Sequence, residues 1–392
     1  MYLVIFLLSL LTALGMWEMG RHVLHRRRIP VRVHVNGSRG KSSVARLIAA
    51  GLRAGGYKVV GKTTGSTAAV IHTDGSETPI RRRGGPNIKE QLRVIRRATR
   101  EGCQALVLEC MAVRPDLQKV CEHSIVRATH GVITNVRPDH LEVMGPTMDD
   151  VASSLAGTVP RKAHLFTAED HYHDFLAQRA RRAGSRFSLA TAAGVATEEM
   201  AGFGYVEFAE NVSLALDVCT SIGVPREKAL QAMYKVTPDV GALTRWRVTS
   251  AHADHPGTMT FINGFAANDP ESYLRVWRRL ELAESTERVL ILMNIRGDRQ
   301  RRSKDLAPLM GKELKADGYI LIGEETALFG DMIRRSGVDR SAIHDWHGLS
   351  AENLWLRLCE LGQGQATVFG MGNIAGIGNR LLDHLRDRRL DP

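Results

Sequence analysis

The 392-residue chain carries only five cysteines, Cys103, Cys110, Cys121, Cys219 and Cys359, and no two stand in a Cys-x-x-Cys spacing. That scarcity excludes an even disulfide framework and a cysteine zinc cage, and leaves reduced, mostly buried thiols of a cytosolic body. Aromatic residues make up 6% and do not interleave with the basic ones as in a single-strand nucleic-acid platform. Acid is also short, with 42 Asp and Glu against 53 Lys and Arg, a formal charge of +11. Such a surplus points to a polyanionic partner; nucleic acid, anionic lipid and an acidic polymer all fit the charge, but no motif supports nucleic acid. No internal repeat or low-complexity tract is present, and 44% apolar content is ample for packed cores in two or three domains.

One long apolar run stands out. Residues 1–17 hold no charge, Trp17 sits where an interfacial aromatic belongs, and Arg21, Arg26, Arg27 and Arg28 follow. The positive-inside rule then puts the N-terminus outside and the body in the cytoplasm, a single pass through the cell membrane. A cleaved signal peptide would want basic residues before the run and a small-residue cleavage site after it, and neither is there.

The stretch Val-Arg-Val-His-Val-Asn-Gly-Ser-Arg-Gly-Lys-Ser-Ser at 31–43 joins an alternating strand to a glycine loop ending in Gly-Lys-Ser. Gly37 and Gly40 allow a tight turn with inward N–H groups, Lys41 offers a cation to the β- and γ-phosphates, and the Ser42 hydroxyl can ligate Mg²⁺. A helix from about Ser42, apolar at Val44, Leu47, Ile48 and Leu52, adds its dipole. The loop is shorter than a full G-x-x-x-x-G-K-[ST] cradle, because Val35 occupies the position five before Gly40.

β-rich runs at 31–35, 57–61, 105–109, 131–136 and 163–167 alternate with helical patterns at 42–54, 88–101, 148–156 and 171–182, and a helical segment at 211–233 closes this part. Pro238 to Gly241 reads as the linker. Strands at 258–263, 288–294, 318–322 and 366–370 then alternate with helices at 270–283, 305–315, 326–336 and 350–361. The fold expected is α/β: a P-loop parallel-sheet ATPase domain plus a smaller Rossmann-like C-terminal domain, behind one N-terminal transmembrane helix. The divisions expected are a transmembrane helix over 1–20, a basic juxtamembrane segment over 21–30, the ATPase domain over 31–245 and the C-terminal domain over 246–392. Gly370-Met371-Gly372-Asn373 lacks a third glycine and a downstream ribose acid, so it reads as a close strand-to-helix turn.

In open parallel sheets, ligand groups gather at the carboxyl ends of the strands. Glu109 closes the apolar run Ala-Leu-Val-Leu, where a carboxylate leaves the core at the strand tip and can bind a hard cation. The run from Ile133 leads into Asp139, His140 and Glu142, groups suited to assist phosphoryl transfer beside a phosphate-bound cation. The stretch Glu169-Asp-His-Tyr-His-Asp174 looks metal-like but begins a polar helix and reads as a solvated face.

Together, Asn-Gly-Ser-Arg-Gly-Lys-Ser-Ser at 36–43, the Glu109 strand end and Ile-Thr-Asn-Val-x-x-Asp-His-Leu-Glu at 133–142 resemble the Mur ligases and folylpolyglutamate synthases. The N-terminal helix, Val-Gly-Lys-Thr-Thr-Gly at 60–65, Gly-Pro-Asn-Ile at 85–88, Glu-Cys-Met-Ala-Val at 109–113, Val-Met-Gly-Pro-Thr at 143–147, Asn-Gly-Phe-Ala-Ala-Asn-Asp at 263–269 and Gly-Met-Gly-Asn-Ile at 370–374 are similar to ligase subunits of poly-γ-glutamate synthases. The resemblance implies ATP on Gly37, Ser38, Arg39, Gly40, Lys41, Ser42 and Ser43, with Mg²⁺, or Mn²⁺ in its place, on Ser42, Glu109 and His140. It also implies Asn268 near the adenine, and Arg245, Arg296, Asp298 and Arg299 as phosphate or substrate contacts. Lys41, Glu109, His140, Arg245 and Arg296 would then carry the chemistry. Its implied partners are glutamate, the polyglutamate chain, a small integral membrane subunit of the PgsC or CapC kind and an accessory one of the PgsA or CapA kind; a homo-oligomer stays open. Mur-type ligases commonly place a carbamylated lysine about fifteen residues after the histidine, whereas Val-Ala-Ser-Ser-Leu-Ala-Gly stands here at 151–157.

The activity so implied is an ATP-dependent, ADP-forming amide ligase that polymerises glutamate through a glutamyl phosphate, with domain closure excluding water. The alternative is a membrane-tethered P-loop ATPase that drives assembly or export of an anionic polymer without forming the amide.

Overall fold

The computed structural model describes the chain except residues 65–67, 83, 239–242, 266, 268–269, 298–299 and 391–392, and the side chains of 300–303. Two compact units divide it, Met1–Asp239 and Val240–Pro392.

The first unit opens with the 26-residue helix Tyr2–Arg27, long and apolar enough to cross a membrane, whose apolar window is wholly uncovered by the rest of the protein. Its last two turns dock. His22 and Arg26 are buried, and Arg26 Nη1 donates to the Ser124 carbonyl at 2.9 Å while the His22 ring lies 2.9 Å from the Ile125 carbonyl. Among the described residues eight strands then form one sheet: β1 (Val31–Asn36), β2 (Val59–Thr63), β3 (Ala69–Ile71), β4 (Glu77–Pro79), β5 (Ala105–Glu109), β6 (His130–Ile133), β7 (His164–Thr167) and β8 (Arg186–Leu189). Their order is β4-β3-β2-β5-β1-β6-β7-β8, and only β3 runs against the others, so that the β2–β3 and β3–β4 pairings are antiparallel and the rest parallel. The chain therefore starts at the centre and is wound outward to both sides, so the ends of β5, β1 and β6 flank a topological switch point.

β1 is buried on both faces. Val33 and Val35 enter the core beneath the helix Lys41–Ala54, whose Val44, Leu47, Ile48 and Leu52 are fully buried, each contributing about 1.5–3 kcal/mol. The opposite face carries His34 and Asn36 into a second packed layer, which must satisfy them. Glu122 meets His34 Nδ1 at 2.8 Å, and Asn36 Nδ2 donates to Gln118 Oε1 at 2.9 Å and Thr158 Oγ1 at 3.1 Å. Glu122 lies in a π-helical stretch, Cys121–Val126, that continues the helix Pro115–Val120.

In the second unit, six strands among the described residues make a sheet ordered β13-β12-β11-β14-β10-β9, from β9 (Thr244–Thr249), β10 (Thr258–Asn263), β11 (Arg288–Ile295), β12 (Gly318–Gly323), β13 (Ile343–Asp345) and β14 (Ala366–Gly372). Only β9 runs antiparallel. Gly370, Met371 and Gly372, expected as a turn, are the last residues of β14, and the turn into the helix Ile377–Arg386 follows at 373–376. Gly372 has φ +88°, and a Cβ there would lie 2.2 Å from the Asn294 carbonyl oxygen of the neighbouring β11.

The α/β class with parallel sheets agrees with the expectation, but several boundaries moved. The strand expected over 131–136 stops at Ile133, and the one expected at 57–61 runs from Val59 to Thr63. The helical segment at 211–233 is two helices, Ala209–Ser221 and Arg226–Met233. Of the linker, Asp239, Val240 and Gly241 lie outside the described residues.

Candidate active site

Three strand ends converge in the first unit. After Asn36 the backbone reaches φ +130° at Gly37 and +77° at Gly40 before the helix Lys41–Ala54 starts. Only glycine fits at 37, where a Cβ would lie 2.0 Å from Thr134 Oγ1. At 40 it would meet Asn211 Oδ1 at 2.7 Å.

The loop is clamped from the β6 side. Ser38 N–H donates to the Asn135 carbonyl at 3.0 Å, Arg39 N–H to Asn135 Oδ1 at 3.0 Å, and Thr134 Oγ1 to the Arg39 carbonyl at 2.6 Å. Ser38 Oγ also donates to the Arg137 carbonyl and accepts from Arg137 N–H, both at 2.9 Å. Strand pairing ends at Ile133 because the next residues are committed to this clamp. Lys41 Nζ caps the rim, donating to the Gly37 carbonyl at 2.7 Å and the Ser38 carbonyl at 3.0 Å.

Ser42 and Glu109 are in contact. Ser42 Oγ donates to Glu109 Oε2 at 2.8 Å, and Thr64 N–H donates to the same oxygen at 2.6 Å. The carboxylate is 2% exposed at the tip of β5. Its surroundings come from the helix Lys89–Arg100 and from β2. Gln91 Nε2 donates to the Glu109 carbonyl at 3.0 Å, and the wholly buried Lys62 ammonium lies 3.5 Å from Glu90, which also takes a forked pair of bonds from Arg82 at 2.7 and 3.1 Å. Burial lowers the Lys62 pKa, with Glu90 and Glu109 acting against it.

His140 reaches the loop indirectly. It sits in a left-handed turn, φ 45° and ψ 45°, with its Nδ1 3.2 Å from Glu142 and its Nε2 3.9 Å from Asp139, which lies 3.4 Å from the Arg39 guanidinium. Among the described residues no hydrogen bond joins His140 to Ser42 or Glu109. Glu169 was read as part of a solvated face, yet it is fully buried: Oε2 accepts from Val136 N–H at 2.6 Å and Oε1 from His171 and Tyr172 N–H at 2.8 and 3.1 Å. It fixes the segment between Asn135 and His140. The rest of that stretch is solvated, with Asp174 96% exposed, as expected.

In the second unit, Arg245 is exposed on β9 opposite Ile262, and Arg296 is half-buried just past β11. Asn268, Asp298 and Arg299 lie outside the described residues. Asn294, at the end of β11, donates to the Asn373 and Ala375 carbonyls at 2.5 and 3.0 Å.

Sequence reasoning missed Thr134, Asn135, Lys62, Gln91 and Glu169. A signal existed for Lys62, a lone cation within the apolar run of β2, and burial of such a group requires a charged partner. The donors beside the loop are a hydroxyl and a carboxylate, hard oxygens suited to Mg²⁺, which takes one or two protein ligands together with phosphate oxygens and water. Among the described residues no three His, Cys, Asp or Glu side chains form a closed cation cage.

A glycine loop and carboxylate at the switch point of a parallel sheet, followed by a second parallel-sheet unit, define the fold class of the Mur ligases and folylpolyglutamate synthases. Residues 35–224 match the Mur ligase middle domain. Escherichia coli FolC in complex with ADP superposes with a TM-score of 0.70 at 14% identity, covering 94% of this chain and 93% of that one. The bifunctional folylpolyglutamate synthase/dihydrofolate synthase of Yersinia pestis, complexed with AMPPNP and a Mn ion, gives 0.69 at 14% identity over 93% and 92%.

The chain belongs to the CapB family. Residues 248–388 match the poly-gamma-glutamate synthase CapB C-terminal domain. It is 37% identical to the capsule biosynthesis protein CapB of Bacillus anthracis, over 96% of this chain and 81% of that protein. Identity is 36% to the PGA synthase CapB of Bacillus subtilis (strain 168), over 100% and 99%.

Proposed function

We propose that this protein is an ATP-dependent, ADP-forming amide ligase that polymerises glutamate into poly-γ-glutamate. The observation that carries the reading is the Ser42–Glu109 contact of 2.8 Å beside the Gly37–Lys41 loop, in a chain related over its full length to a PGA synthase. The loop amides and Lys41 hold the ATP phosphates, and Arg39, Ser38 and Ser43 line the same turn. Ser42 and Glu109, with His140 beyond Asp139, are the residues that would hold Mg²⁺, or Mn²⁺ in its place, and the ion would supply charge neutralisation at the transferring phosphoryl group.

A free carboxylate is a poor acyl donor, so the reaction proceeds in two displacements. A glutamate carboxylate oxygen attacks the γ-phosphorus, the bond to the β–γ bridging oxygen breaks, and ADP leaves. An amino group then attacks the acyl carbon, the acyl C–O bond breaks, phosphate leaves, and the amine proton passes to solvent. Lys41 offsets the charge that builds on the transferring oxygens. On the second unit, Arg245 and Arg296, with Asn268, Asp298 and Arg299, serve nucleotide and anionic substrate. We assign residues 31–245 to a Mur-ligase-like central ATPase domain, which carries the phosphoryl transfer, and 246–392 to a Rossmann-like C-terminal ligase domain.

The helix Tyr2–Arg27 anchors the enzyme in the membrane with the body in the cytoplasm, beside a small integral membrane subunit of the CapC kind and an accessory subunit of the CapA kind. Membranes holding the full chain, assayed with and without those subunits, test the reading. Glutamate-dependent ADP release and hydroxylamine capture of glutamyl phosphate as the hydroxamate are expected. ATP hydrolysis indifferent to glutamate would refute the ligase and leave a tethered ATPase.

A further inference from the structure

The helix Lys89–Arg100 turns Gln91, Val94, Ile95 and Ala98 inward and leaves Arg93, Arg96, Arg97 and Arg100 exposed. It packs against the foot of the N-terminal helix, where Thr99 Oγ1 donates to the His25 carbonyl at 3.2 Å. Arg21, Arg28, Arg96 and Arg100 all lie close enough to His25 to act on its charge, and Arg27 and Arg127 do the same at Arg26. Arg21 is also stacked on Trp17, 4.5 Å from the ring centroid. The acids nearby do not cancel this: Glu101 is paired with Arg97 at 2.7 Å, Glu90 with Lys62 and Arg82, and Glu18, exposed one turn before Arg21, is a single carboxylate against the arginines of both helices. A ring of guanidinium groups thus surrounds the point where an uncovered apolar helix meets the protein.

We propose that this arginine collar binds the headgroups of anionic phospholipids, so that the helix Lys89–Arg100 lies along the cytoplasmic bilayer surface. The proposal rests on the reading of Tyr2–Arg27 as a membrane span. Near an anionic leaflet each exposed arginine gains attraction that adds along the face and is screened by salt. Guanidinium also forks onto phosphate oxygens. The occupant is lipid because the collar is continuous with the apolar helix: once that helix is in a bilayer, headgroups are the anions at its foot. The same helix bears Glu90 and Gln91, which hold Lys62 and the Glu109 carbonyl, so the lipid-facing helix also shoulders the candidate metal ligand.

The test is arginine footprinting with phenylglyoxal on the full chain in nanodiscs of phosphatidylcholine alone or with 30 mol% phosphatidylglycerol, read by mass spectrometry. In the anionic discs Arg93, Arg96 and Arg100 should react at least five-fold more slowly, recovering in 0.5 M NaCl, while exposed Arg182 on the helix His173–Arg182 stays unchanged. Equal reactivity in the two discs overturns the proposal. So does protection found in native membranes but absent from anionic discs, which assigns the face to a protein partner. A chain that fails to enter discs refutes the membrane span and the collar together, whereas a chain that enters with unprotected arginines refutes the collar alone.

Discussion

Replacing Glu122 with glutamine tests how the strand that leads into the Gly37–Lys41 loop is held. His34 lies three residues before Gly37, wholly buried, with Glu122 at 2.8 Å from Nδ1. Burial opposes a charge on the ring, but the Cys110 sulfur and the Glu122 carboxylate outweigh it and raise the His34 pKa to about 10. The folded pKa exceeds the unfolded one, near 6.5, so this stabilisation is complete below about pH 6.5 and is lost as pH rises through about 10. At pH 7.5 it amounts to roughly 3 kcal/mol. Glutamine keeps an acceptor for Ala128 N–H, which now donates to Glu122 Oε1 at 2.9 Å, so the change removes mainly the charge. The first unit spans Met1–Asp239, and at about 2 cal/mol/K per residue its unfolding entropy is roughly 0.5 kcal/mol/K. Glu122→Gln removes only the Glu122 share of this and leaves the Cys110 share, so the melting temperature should fall at pH 7.5 by a few degrees, with about 6 °C as the ceiling. Differential scanning fluorimetry of both proteins in detergent from pH 6 to 10.5 reads this out. The gap should persist at low pH and close near pH 10; a gap that is absent at pH 7.5, or constant up to pH 10.5, would refute the reasoning.

Lys41→Ala should cut glutamate-dependent ADP formation by about 10²–10³-fold with the melting temperature almost unchanged, since among the described residues the ammonium hydrogen-bonds to its own loop. Near-normal turnover would move the phosphates elsewhere. For Glu109→Gln, the Mg²⁺ concentration giving half-maximal activity should rise on the order of ten-fold or more, and an unchanged titration would displace the metal from Ser42 and Glu109. Gly37→Ala forces a Cβ to within 2.0 Å of Thr134 Oγ1 at a backbone φ of +130°, so ATP binding measured by calorimetry should fall sharply, at a stability cost of about 1–3 kcal/mol. Unaltered binding there would mean the Thr134 clamp is dispensable.

Elements with a strong local pattern were legible in the sequence. The alternation of Val31, Val33 and Val35, followed by two glycines and an amphipathic helix, describes one strand, one turn and one helix with little competition from distant residues. The apolar run closed by Glu109 was similarly self-contained. β3, β4, β8 and β13 were not legible, because three- and four-residue strands at or next to the sheet edges carry too few residues for a period and owe their conformation to their neighbours. The six-residue edge strand β9 was missed too, since its run holds Arg245 and Arg247 and only one fully buried residue, Val248. The π-helical stretch at 121–126 is a tertiary effect too: its register turns Glu122 inward onto His34, 88 residues earlier. Glu169 misled for a related reason. Set among histidines and aspartates it looks solvated, and only the fold supplies the three amide donors that make its burial tolerable.

The docking of His22 and Arg26 onto the Ser124 and Ile125 carbonyls gives the N-terminal helix a fixed phase relative to the sheet. A disordered tether would lose all memory of direction within a few residues, whereas a continuous helix transmits rotation faithfully, about 100° and 1.5 Å per residue. Inserting one alanine near Gly20 would leave the apolar length and every contact of the body intact, yet swing the body about a quarter turn around the helix axis. On the proposed membrane span, the azimuth from which the body approaches a neighbour is thus written in the number of residues between the apolar run and His22.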